Sequence, residues 1–428
     1  MKLLFITPQV PYPPQQGTTI RNYNLLRHLA KRHTIDLISF ESQDDELTDE
    51  NPLYQLCRRF EVVPQPLRTM GARLRDTIFS PLPDMGHRLE SAEMHALIER
   101  WVANAEPGEW HIVQIEGIEV AQYGRQVLEG MKCRFGDQPG ARPKLIFDNH
   151  NCEYLLQKRN ALNDLRTPRR WVGGAYSVTQ WFKLWRYERS VCHSTDATVA
   201  VSDADQSALQ ILAPQTRVAT VPNGIDIDNL PVLSGSSTVL SSLDRELSIL
   251  FIGKMDYRPN IDAMLWFGQE IFPLIKAEVA DVRLNIVGLN PHTRLDPLRG
   301  DPAISITGKV EDVTPYLAAA TAYVIPLRVG GGTRFKVLEA MAHSKAIVTT
   351  SLGIEGIPAI ANEHLFIADT PEAFAKAVIR LLEEKARGEG KQGQTMGENS
   401  RNLVVEHFAW QHIVPRLEQL YQQIRMAQ

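Results

Sequence analysis

The sequence is poor in cysteine and in net charge, and each shortage excludes a class of protein. Its four cysteines, Cys57, Cys133, Cys152 and Cys192, form no CxxC pair and have no histidine at metal-ligand spacing. We therefore expect neither a disulfide framework nor a zinc site, and a reducing cytoplasm is the predicted compartment. The formal net charge is only −4 over 428 residues, which gives no electrostatic reason to expect nucleic acid as a partner.

Long hydrophobic runs are also missing. The nearest approach to a spanning segment, Leu317–Leu327, is short and contains a proline, so we expect no transmembrane helix. The apolar run Leu3–Ile6 ends too early for a signal peptide, and we interpret it as a first β-strand. The loop after it, Pro11–Thr19, lacks the GxGxxG turn of a dinucleotide site, which argues against a nicotinamide enzyme.

Two series of apolar runs alternate with segments of helical periodicity. Alternation of this kind predicts α/β domains, in which helices cover a parallel sheet. The runs are Leu3–Ile6, Ile35–Phe40, Ile112–Ile115, Leu145–Phe147 and Ala197–Val201, then Ile249–Ile252, Leu284–Val287, Ile304–Ile306, Ala322–Ile325 and Ala346–Thr350. At about 100–200 residues per domain, we expect a first domain at 1–230, a linker at 231–248, a second domain at 249–407 and a packed amphipathic helix at 408–428.

Ligands of open α/β sheets bind where strands end, and the first domain has two candidate loops at such positions. Gly17 opens a helix and permits close approach of a ligand to the backbone, although a simple Pro/Gly turn is the alternative. His150 follows the strand Lys144–Phe147 and lies between Asp148 and Glu153. A histidine with carboxylates at a strand end favours a reactive site, and a structural histidine is the alternative.

The second domain begins with a strand that leads into a basic loop. Gly253 and Lys254 leave the strand, and Arg258 follows four residues later. We expect a long helix to begin near Ile261 with Asn260 as its N-cap. Two cations beside helix amides suit a diphosphate, whereas a solvated basic loop is the alternative.

A glycine-rich block gives the strongest indication of a ligand site. Three consecutive glycines follow a predicted strand and precede a helix, and packing requires no such run there. Arg334 and Lys336 can neutralise phosphate oxygens, and Glu339, about one turn further on, suits a vicinal diol such as a ribose. The candidate binding residues of this block are Gly331, Gly332, Thr333, Arg334, Lys336 and Glu339.

Two Asp-x-Asp triplets are compatible with a divalent metal that bridges a diphosphate. However, Asp203–Asp205 follows Ser202 at the start of a helical pattern, and Asp226–Asp228 follows a Pro-Asn-Gly turn. Helix caps and turns explain both triplets without a metal. We therefore expect no metal and no cofactor.

The segment Arg169–Arg189 mixes aromatic and basic side chains. Trp171, Trp181, Phe182 and Trp185 lie among arginines and a lysine, a composition typical of helices that lie in a membrane interface. Packing of these rings into the protein core is the alternative. Peripheral contact with the inner face of a membrane is therefore one expectation for this segment.

Taken together, these features resemble the retaining glycosyltransferases of family 4, which have the GT-B fold. The resemblance is carried by the Pro/Gly loop after the first strand, Asp-x-His-x-x-Glu at 148–153, Val-Pro-Asn-Gly-Ile-Asp at 221–226 and Gly-Gly-Gly-Thr-Arg-Phe-Lys-Val-Leu-Glu-Ala-Met at 330–341. The motif Tyr257-Arg-Pro-Asn-Ile-Asp with Trp266-Phe is most similar to sugar transferases of bacterial exopolysaccharide and PEP-CTERM systems. The resemblance implies two Rossmann-like parallel-sheet domains that face each other across a cleft.

The resemblance also implies roles for the two domains and for individual residues. The second domain would bind a nucleotide-diphosphate sugar, the first a glycan or lipid-linked acceptor, and the C-terminal helix would cross back to the first domain. Glu339 would hold the ribose, and Arg334 and Lys336 with Lys254 would hold the diphosphate. His150 would contact the donor sugar near the reacting carbon.

The sequence departs from the family pattern at three places. The family often has Glu-x7-Glu, and Gly331 stands where the first glutamate is usual. The usual Gly-Arg of the second-domain loop is Gly253-Lys254, and the usual lysine downstream falls near Pro259. Gly17, which would border the diphosphate, is followed by threonine where the family has a glycine pair. Phosphate binding would thus shift toward the cations of the glycine-rich block.

Three functions are compatible with these residues. In a transferase, cleavage at the anomeric carbon places negative charge on the departing diphosphate, which fixed cations stabilise. Because no paired carboxylate of the glycosidase kind is evident, retention is expected to use same-face attack assisted by the leaving phosphate. A nucleotide-sugar epimerase of the same fold is one alternative, and a non-catalytic polysaccharide-assembly subunit, favoured by Gly331, is another.

Overall fold

A computed structural model describes residues 1–42, 47–165, 171–228, 230, 247–329 and 335–426. The chain divides into two compact units, a first unit of Met1–Asn223 with Ile413–Gln428 and a second unit of Gly224–His412. Each unit contains a parallel sheet, as the alternation of strand and helix patterns predicts. In the ranges given above, no helix has the length and the hydropathy that crossing a membrane requires.

In the described part of the first unit, seven parallel strands form one sheet. They are β1 (Lys2–Thr7), β2 (Thr34–Glu41), β3 (Arg59–Pro64), β4 (Ile112–Glu116), β5 (Lys144–Asn149), β6 (Ala197–Ala200) and β7 (Val218–Thr220). Their order is β3-β2-β1-β4-β5-β6-β7, so the direction of winding reverses between β1 and β4. Such a reversal is where open α/β sheets place their ligand sites.

Helices cover this sheet, and its central strands are buried on both faces. The helices are α1 (Gly17–Leu29), α2 (Leu53–Leu56), α3 (Met70–Phe79), α4 (Asp84–Arg88), α5 (Ala92–Ala103), α6 (Ala121–Phe135), α7 (Glu153–Leu165), α8 (Trp171–His193) and α9 (Asp203–Leu212). Phe5, Leu37 and Ile115 are fully buried in neighbouring strands. Continuous apolar strands of this kind are typical of parallel sheets with two covered faces.

The described residues of the second unit form a six-stranded parallel sheet. Its elements are β8 (Ser248–Ile252), α10 (Arg258–Trp266), α11 (Phe272–Glu278), β9 (Arg283–Val287), β10 (Ile304–Gly308), α12 (Thr314–Ala319), β11 (Ala322–Ile325), α13 (Phe335–Ala342), β12 (Ile347–Thr349), β13 (Phe366–Ile367), α14 (Pro371–Ala386), α15 (Lys391–Phe408) and α16 (Trp410–Met426). The order β10-β9-β8-β11-β12-β13 again reverses beside the first strand. Helix α16 belongs to the first unit from Ile413 onward.

The predicted strands are all present, and three further strands escaped prediction. Strand β3 lies at the sheet edge and is mostly half-buried, so its apolar pattern is weak. Strands β7 and β13 have only three and two residues, too few for a periodic pattern. In the predicted linker, residues 231–246 lie outside the described residues, and Ser248 already begins β8.

Two backbones approach closely where β8 and β9 end. Gly288 follows β9 and has a φ of +152°, a value that favours glycine. A Cβ atom at Gly288 would lie 1.9 Å from the carbonyl oxygen of Gly253, which follows β8. Only a residue without a side chain fits, so this contact sets the position of the loop that carries Lys254.

We predict that Gly288→Ala destabilises the protein, because the new methyl group collides with backbone rather than with a movable side chain. The free energy of unfolding should fall by about 2 kcal/mol or more. Gly300→Ala is the matched control, since no heavy atom lies within 4 Å of a Cβ at that position. Thermal melts of both variants measure the effect, and equal melting of Gly288→Ala and wild type would contradict the prediction.

Candidate active site

The carboxyl ends of β4 and β5 place two acidic side chains next to each other. Glu116 is the last residue of β4, and the register of the two parallel strands pairs it with Asp148 of β5. Both side chains are fully buried. Two buried carboxylates repel each other, so this position requires positively charged partners.

Arg21 of α1 supplies one fixed positive charge. Its Nη2 lies 2.8 Å from Asp148 Oδ2, and its Nε donates to both carboxylate oxygens at 3.2 Å. Its Nη1 donates to the carbonyl oxygen of Pro222 at 3.2 Å and to Asn223 Oδ1 at 3.1 Å. Arg21 is 1% exposed, and loss of one partner from such a buried pair costs roughly 3–5 kcal/mol. The guanidinium therefore holds α1, β5 and residues 222–223 together.

His150 supplies the second partner. Its Nε2 lies 2.8 Å from Glu116 Oε2, and its side chain is 14% exposed. Glu116 Oε1 accepts a hydrogen bond from the Gln114 amide at 2.6 Å. Burial and repulsion from Asp148 raise the pKa of Glu116, while the bond to His150 opposes that rise. Glu116 therefore fixes the orientation of an imidazole ring whose edge reaches solvent.

The last helix of the chain contributes to the same network. Tyr421 of α16 is fully buried, and its hydroxyl donates to Gln114 Oε1. Burial and the charges of Glu116 and Asp148 raise the pKa of Tyr421 well above its usual value, so the hydroxyl remains a neutral donor. Because Tyr421 takes the amide oxygen of Gln114, the amide nitrogen is directed to the carboxylates.

Glu116, Asp148 and His150 form the one group in the described ranges whose ligand atoms, all within 4.8 Å of one another, could hold a metal ion. The donors around them argue against a metal. Arg21 binds both oxygens of Asp148, and Gln114 donates to Glu116. These N–H groups occupy the oxygens that a cation needs, so the residues suit a hydrogen-bond network. The expectation that no metal is required remains a prediction.

Two further carboxyl groups lie beside the loop that carries His150, namely Glu188, which is fully buried, and Glu153, which is half-buried. Glu188 of α8 accepts hydrogen bonds from Asn149 Nδ2 at 2.7 Å and from the backbone amides of Glu153 and Tyr154 at 3.0 and 2.8 Å. Burial raises the pKa of Glu188 to about 7. Burial, with the charges of Glu119 and Glu188, raises the pKa of Glu153 to about 8. Glu188 thus caps the start of α7, and Glu153 is mainly protonated at neutral pH.

In the second unit, Asn260 joins two segments that each carry a lysine. Its Nδ2 donates to the backbone carbonyl oxygen of Lys254 at 2.8 Å, and its Oδ1 accepts from Lys336 Nζ at 2.7 Å. The Lys254 ammonium lies 3.6 Å from Asp256 Oδ2. Strands β8 and β11, which precede the two segments, are neighbours in the sheet. Two lysines, one of them paired with an aspartate, therefore lie at the carboxyl edge of this sheet, where an anionic ligand is expected.

The start of α10 differs from the sequence prediction. Asn260 is not the N-cap, because the helix begins at Arg258 with Tyr257 in the cap position. Pro259 explains the difference, since proline fits the first turn of a helix, where its missing N–H is not needed. Asn260 consequently lies within the first turn, and its side chain makes the two contacts to the lysine segments.

Glu339 of α13 provides a carboxylate near this positive charge. Its side chain is exposed to solvent. Desolvation of the carboxyl group by nearby protein atoms raises its pKa to about 6, while the charge of Lys336 one turn earlier opposes the rise. At neutral pH an accessible, largely ionised carboxylate can accept hydrogen bonds from a diol.

The structure describes six of the ten residues predicted for the site. Lys254, Arg258, Lys336 and Glu339 all belong to the second unit, and the first and third of these are connected through Asn260. Gly17 is the first residue of α1 and, like His150, belongs to the first unit. The residues that lie outside the described ranges are Gly331, Gly332, Thr333 and Arg334.

The structure also describes the first Asp-x-Asp triplet and most of the aromatic and basic segment Arg169–Arg189. The first Asp-x-Asp triplet is a helix cap, as predicted: the Ser202 hydroxyl accepts from the Asp205 backbone amide at 3.1 Å at the start of α9. The aromatic and basic segment is helical from Trp171 onward, while residues 166–170 lie outside the described ranges. Within it, Phe182 is 58% exposed.

Sequence reasoning missed Glu116, Arg21 and Tyr421. Glu116 directly follows the predicted strand Ile112–Ile115 and precedes a glycine, a signal that could have identified a side chain at a strand end. Arg21 has the i, i+4, i+8 spacing of a buried helix face with Leu25 and Leu29. Tyr421 looks like an ordinary core residue of an amphipathic helix, so its pattern gave no indication of a polar contact.

The two sheets and their edge sites define the fold class, two Rossmann-like parallel-sheet domains of the GT-B glycosyltransferase type. Sucrose-phosphate synthase from Thermosynechococcus elongatus has a similar structure, with a TM-score of 0.69, 16% sequence identity and coverage of 100% of both chains. HepE from Anabaena, solved in complex with UDP and glucose, has a TM-score of 0.62 and 13% identity over 98% of this chain and 99% of that chain.

Sequence comparison identifies the family. A profile described as "Glycosyltransferase Family 4" matches residues 16–229, which is half of the chain, and one described as "Glycosyl transferases group 1" matches residues 246–384. The chain therefore belongs to glycosyltransferase family 4. A curated relative, an uncharacterized 44.6 kDa protein in the cps region of Klebsiella pneumoniae, is 27% identical over 142 residues, or 31% of this chain. That match spans about a third of the relative's own length, 36%.

We predict that the ionisation of Glu153 makes the folded protein less stable as pH rises. Because the pKa is raised to about 8 in the folded protein from an ordinary value of 4.5, the stabilisation is complete below pH 4.5 and is lost as pH rises through 8. Glu153→Gln removes this titration. Relative to wild type, the variant should gain at least about 1.4 kcal/mol, the equivalent of one pKa unit, between pH 5 and pH 8.5.

Denaturant unfolding at several pH values measures this difference. Glu129→Gln, at an exposed position of α6, is the matched control and should give the same pH dependence as wild type. Parallel pH profiles of Glu153→Gln and wild type would show that Glu153 does not ionise in this range.

Proposed function

We propose that the protein is a retaining glycosyltransferase that transfers a sugar from a nucleotide-diphosphate sugar to a glycan or lipid-linked acceptor. The observation that carries the proposal is the set of Lys254, Lys336 and Glu339, which the Asn260 contacts and α13 place at the carboxyl edge of the second sheet. Two cations suit a diphosphate and an accessible carboxylate suits a ribose. No cofactor is required beyond the substrate.

The proposed donor is a nucleoside diphosphate sugar, and binding experiments identify its base and its sugar. HepE, which has a similar fold, is described in complex with UDP-glucose, so UDP and UDP-glucose are the appropriate first probes. The relative in the cps region supports a role in the synthesis of a surface or extracellular polysaccharide. The four cysteines are free thiols, which suits the reducing cytoplasm.

Leaving-group stabilisation is the main catalytic contribution in this proposal. As the bond between the anomeric carbon and the diphosphate breaks, negative charge grows on the phosphate oxygens. Lys336, whose ammonium Asn260 holds, together with Lys254, Arg258 and Arg334, stabilises this charge more strongly in the transition state than in the ground state. Fixed cations do this without a metal ion.

His150 is proposed to contact the donor sugar near the reacting carbon. Glu116 holds its Nε2 at 2.8 Å, so the ring keeps one orientation while its exposed edge meets the substrate. This fixed orientation makes His150 suited to interactions that strengthen as charge develops on the sugar.

Retention is proposed to follow same-face attack by the acceptor, assisted by the leaving phosphate. A double displacement needs an accessible carboxylate nucleophile. Glu116 and Asp148 are fully buried, and Arg21, Gln114 and His150 already occupy their oxygens. The carboxylates of this network therefore act as supports for His150 and do not attack the sugar.

The acceptor is proposed to bind in a cavity of the first unit beside the loop after β1. The cavity has a volume of about 580 Å³ and is lined by Gln9, Tyr12, Gln15, Gln16, Glu50 and Asn51, among others. Amide and carboxylate groups with an aromatic ring are suited to the hydroxyls and the apolar face of a sugar. Gly17 begins α1 directly after this loop.

We predict that Glu339→Ala and Arg334→Ala each weaken binding of UDP. Loss of a charged hydrogen-bond partner should reduce the binding free energy by roughly 1.5–3 kcal/mol per group. Titration calorimetry measures the affinities, and addition of EDTA should leave them unchanged. Arg299→Ala, on an exposed part of the second unit, is the control. Wild-type affinity in both test variants would rule out this donor site.

The same experiment has a pH dependence. Because the Glu339 pKa is raised to about 6, the wild-type affinity should fall as pH decreases through 6 and the carboxylate is protonated. UDP itself also titrates, so the quantity to compare is the ratio of the wild-type and Glu339→Ala affinities. A ratio that is constant from pH 5 to pH 8 would show that the Glu339 carboxylate does not contact UDP.

We predict that His150→Ala lowers the rate of sugar transfer by at least tenfold while UDP affinity stays near the wild-type value. An interaction made mainly in the transition state changes turnover more than ground-state binding. A transfer assay, a UDP titration and a thermal melt on the same preparation distinguish the outcomes. Near-normal transfer by a stable variant would exclude His150 from catalysis. A lower melting temperature, with normal activity of the fraction that remains folded, would show that His150 is a structural residue.

A further inference from the structure

Helix α3 is amphipathic with its apolar side directed away from the protein. It contains no buried residue. Five apolar side chains in and beside it are strongly exposed: Leu67 at 84%, Met70 at 77%, Leu74 at 63%, Ile78 at 63% and Phe79 at 81%. Surface helices normally place their apolar face against the core. We call these five side chains the apolar face of α3.

The opposite side of α3 is attached to the first unit through charges. Arg68 donates to Asp76 at 2.9 Å and to Asp84 at 2.8 Å, and Arg73 donates to Asp84 at 3.0 Å. Lys183 of α8 donates to the carbonyl oxygens that end the helix, including that of Thr77 at 2.6 Å. Polar contacts therefore determine the orientation of α3, and this orientation directs the apolar face of α3 to solvent.

The exposed apolar side chains are grouped, not scattered. Met70, Leu74 and Ile78 are spaced four residues apart and lie on one stripe of the helix, with Leu67 and Phe79 at its ends. A contiguous exposed apolar patch is typical of a surface that binds a protein or a membrane. The charged side chains around the apolar face indicate which of these two partners it fits.

The segment around the apolar face has a net positive charge, although each of its four arginines pairs with an acidic side chain. Residues 67–88 contain four arginines and two aspartates, whereas the whole chain has a net charge of −4. Arg75, next to Leu74, pairs with Asp76 at 3.1 Å, and its side chain is 71% exposed. On the adjoining helix α8, Phe182 is 58% exposed and the Arg186 guanidinium lies 6.0 Å from the centre of its ring. Apolar side chains bordered by cations match the two layers of an anionic lipid surface.

We propose that the apolar face of α3 docks onto an anionic lipid bilayer, with its five side chains among the acyl chains and the exposed side chains of Arg75 and Arg186 at the headgroups. A bilayer needs no shape complementarity, and long side chains that project from one helix can enter it singly. The segment Arg169–Arg189, for which the sequence analysis gave membrane contact as one expectation and core packing as the alternative, contributes the exposed ring of Phe182 to this surface. The proposal does not depend on sugar transfer, because docking requires no donor.

Vesicle co-sedimentation of the full chain tests the proposal without nucleotide. Wild type should bind vesicles that contain phosphatidylglycerol, bind phosphatidylcholine vesicles at least tenfold more weakly, and lose binding at high salt. The double variant Leu74→Ser with Ile78→Ser should bind at least tenfold more weakly than wild type. Because α3 has no buried residue, the thermal melt and the UDP affinity of the double variant should equal those of wild type.

Ile211→Ser is the matched control, since Ile211 of α9 is 79% exposed but distant in sequence from α3. It should bind phosphatidylglycerol vesicles as wild type does. The proposal is wrong if wild type does not bind these vesicles, or if the double variant and the control behave alike. It is also wrong if wild type forms a dimer in the absence of lipid and the double variant does not, since the face would then join two copies.

A direct measurement places the helix at the bilayer. Leu74→Cys in a Cys133→Ser background provides a single exposed thiol for an environment-sensitive fluorophore, because the other three cysteines are buried. Its emission should shift to shorter wavelength when phosphatidylglycerol vesicles are added. An unchanged spectrum in a vesicle-bound protein would show that a different surface makes the contact.

Discussion

A buried ion pair between Arg21 and Asp148 supports the polar network of the first unit. Parallel pairing of β4 with β5 forces Glu116 and Asp148 side by side in the interior, where two uncompensated negative charges would be strongly unfavourable. Arg21 balances one of them and also binds residues 222–223. The second carboxylate is then available to hold His150, so the orientation of the imidazole follows from a charge balance inside the sheet.

At the carboxyl edge of its sheet, the second unit has accessible charged groups in place of a buried network. Its polar groups stay accessible: Lys254 is half-exposed and Glu339 is exposed. Here a neutral amide, Asn260, and a close backbone contact between Gly253 and Gly288 set the positions of the charged groups. Accessible fixed charges suit a substrate that arrives charged, whereas the buried network of the first unit suits a group that must keep one orientation during the reaction.

Helix α3 shows that charge can also direct a surface outward. Its ion pairs with Asp84 and the contact of Lys183 to its last turn hold the helix against the first unit by polar atoms. The apolar residues are consequently left in water, which is unfavourable unless another phase covers them. The lipid surface proposed for α3 would cover these side chains.

The sequence by itself determined the local and periodic features of this protein. Alternating apolar runs located ten of the thirteen described strands, and Ser202 with its triplet was recognised as a cap, because these features depend on neighbours within a few residues. Only the tertiary structure decided the partners of His150, since Glu116 lies 34 residues away and Tyr421 and Gln114 lie 307 residues apart. It also decided that the apolar side of α3 faces outward, because a helical pattern gives the existence of a face but not its direction.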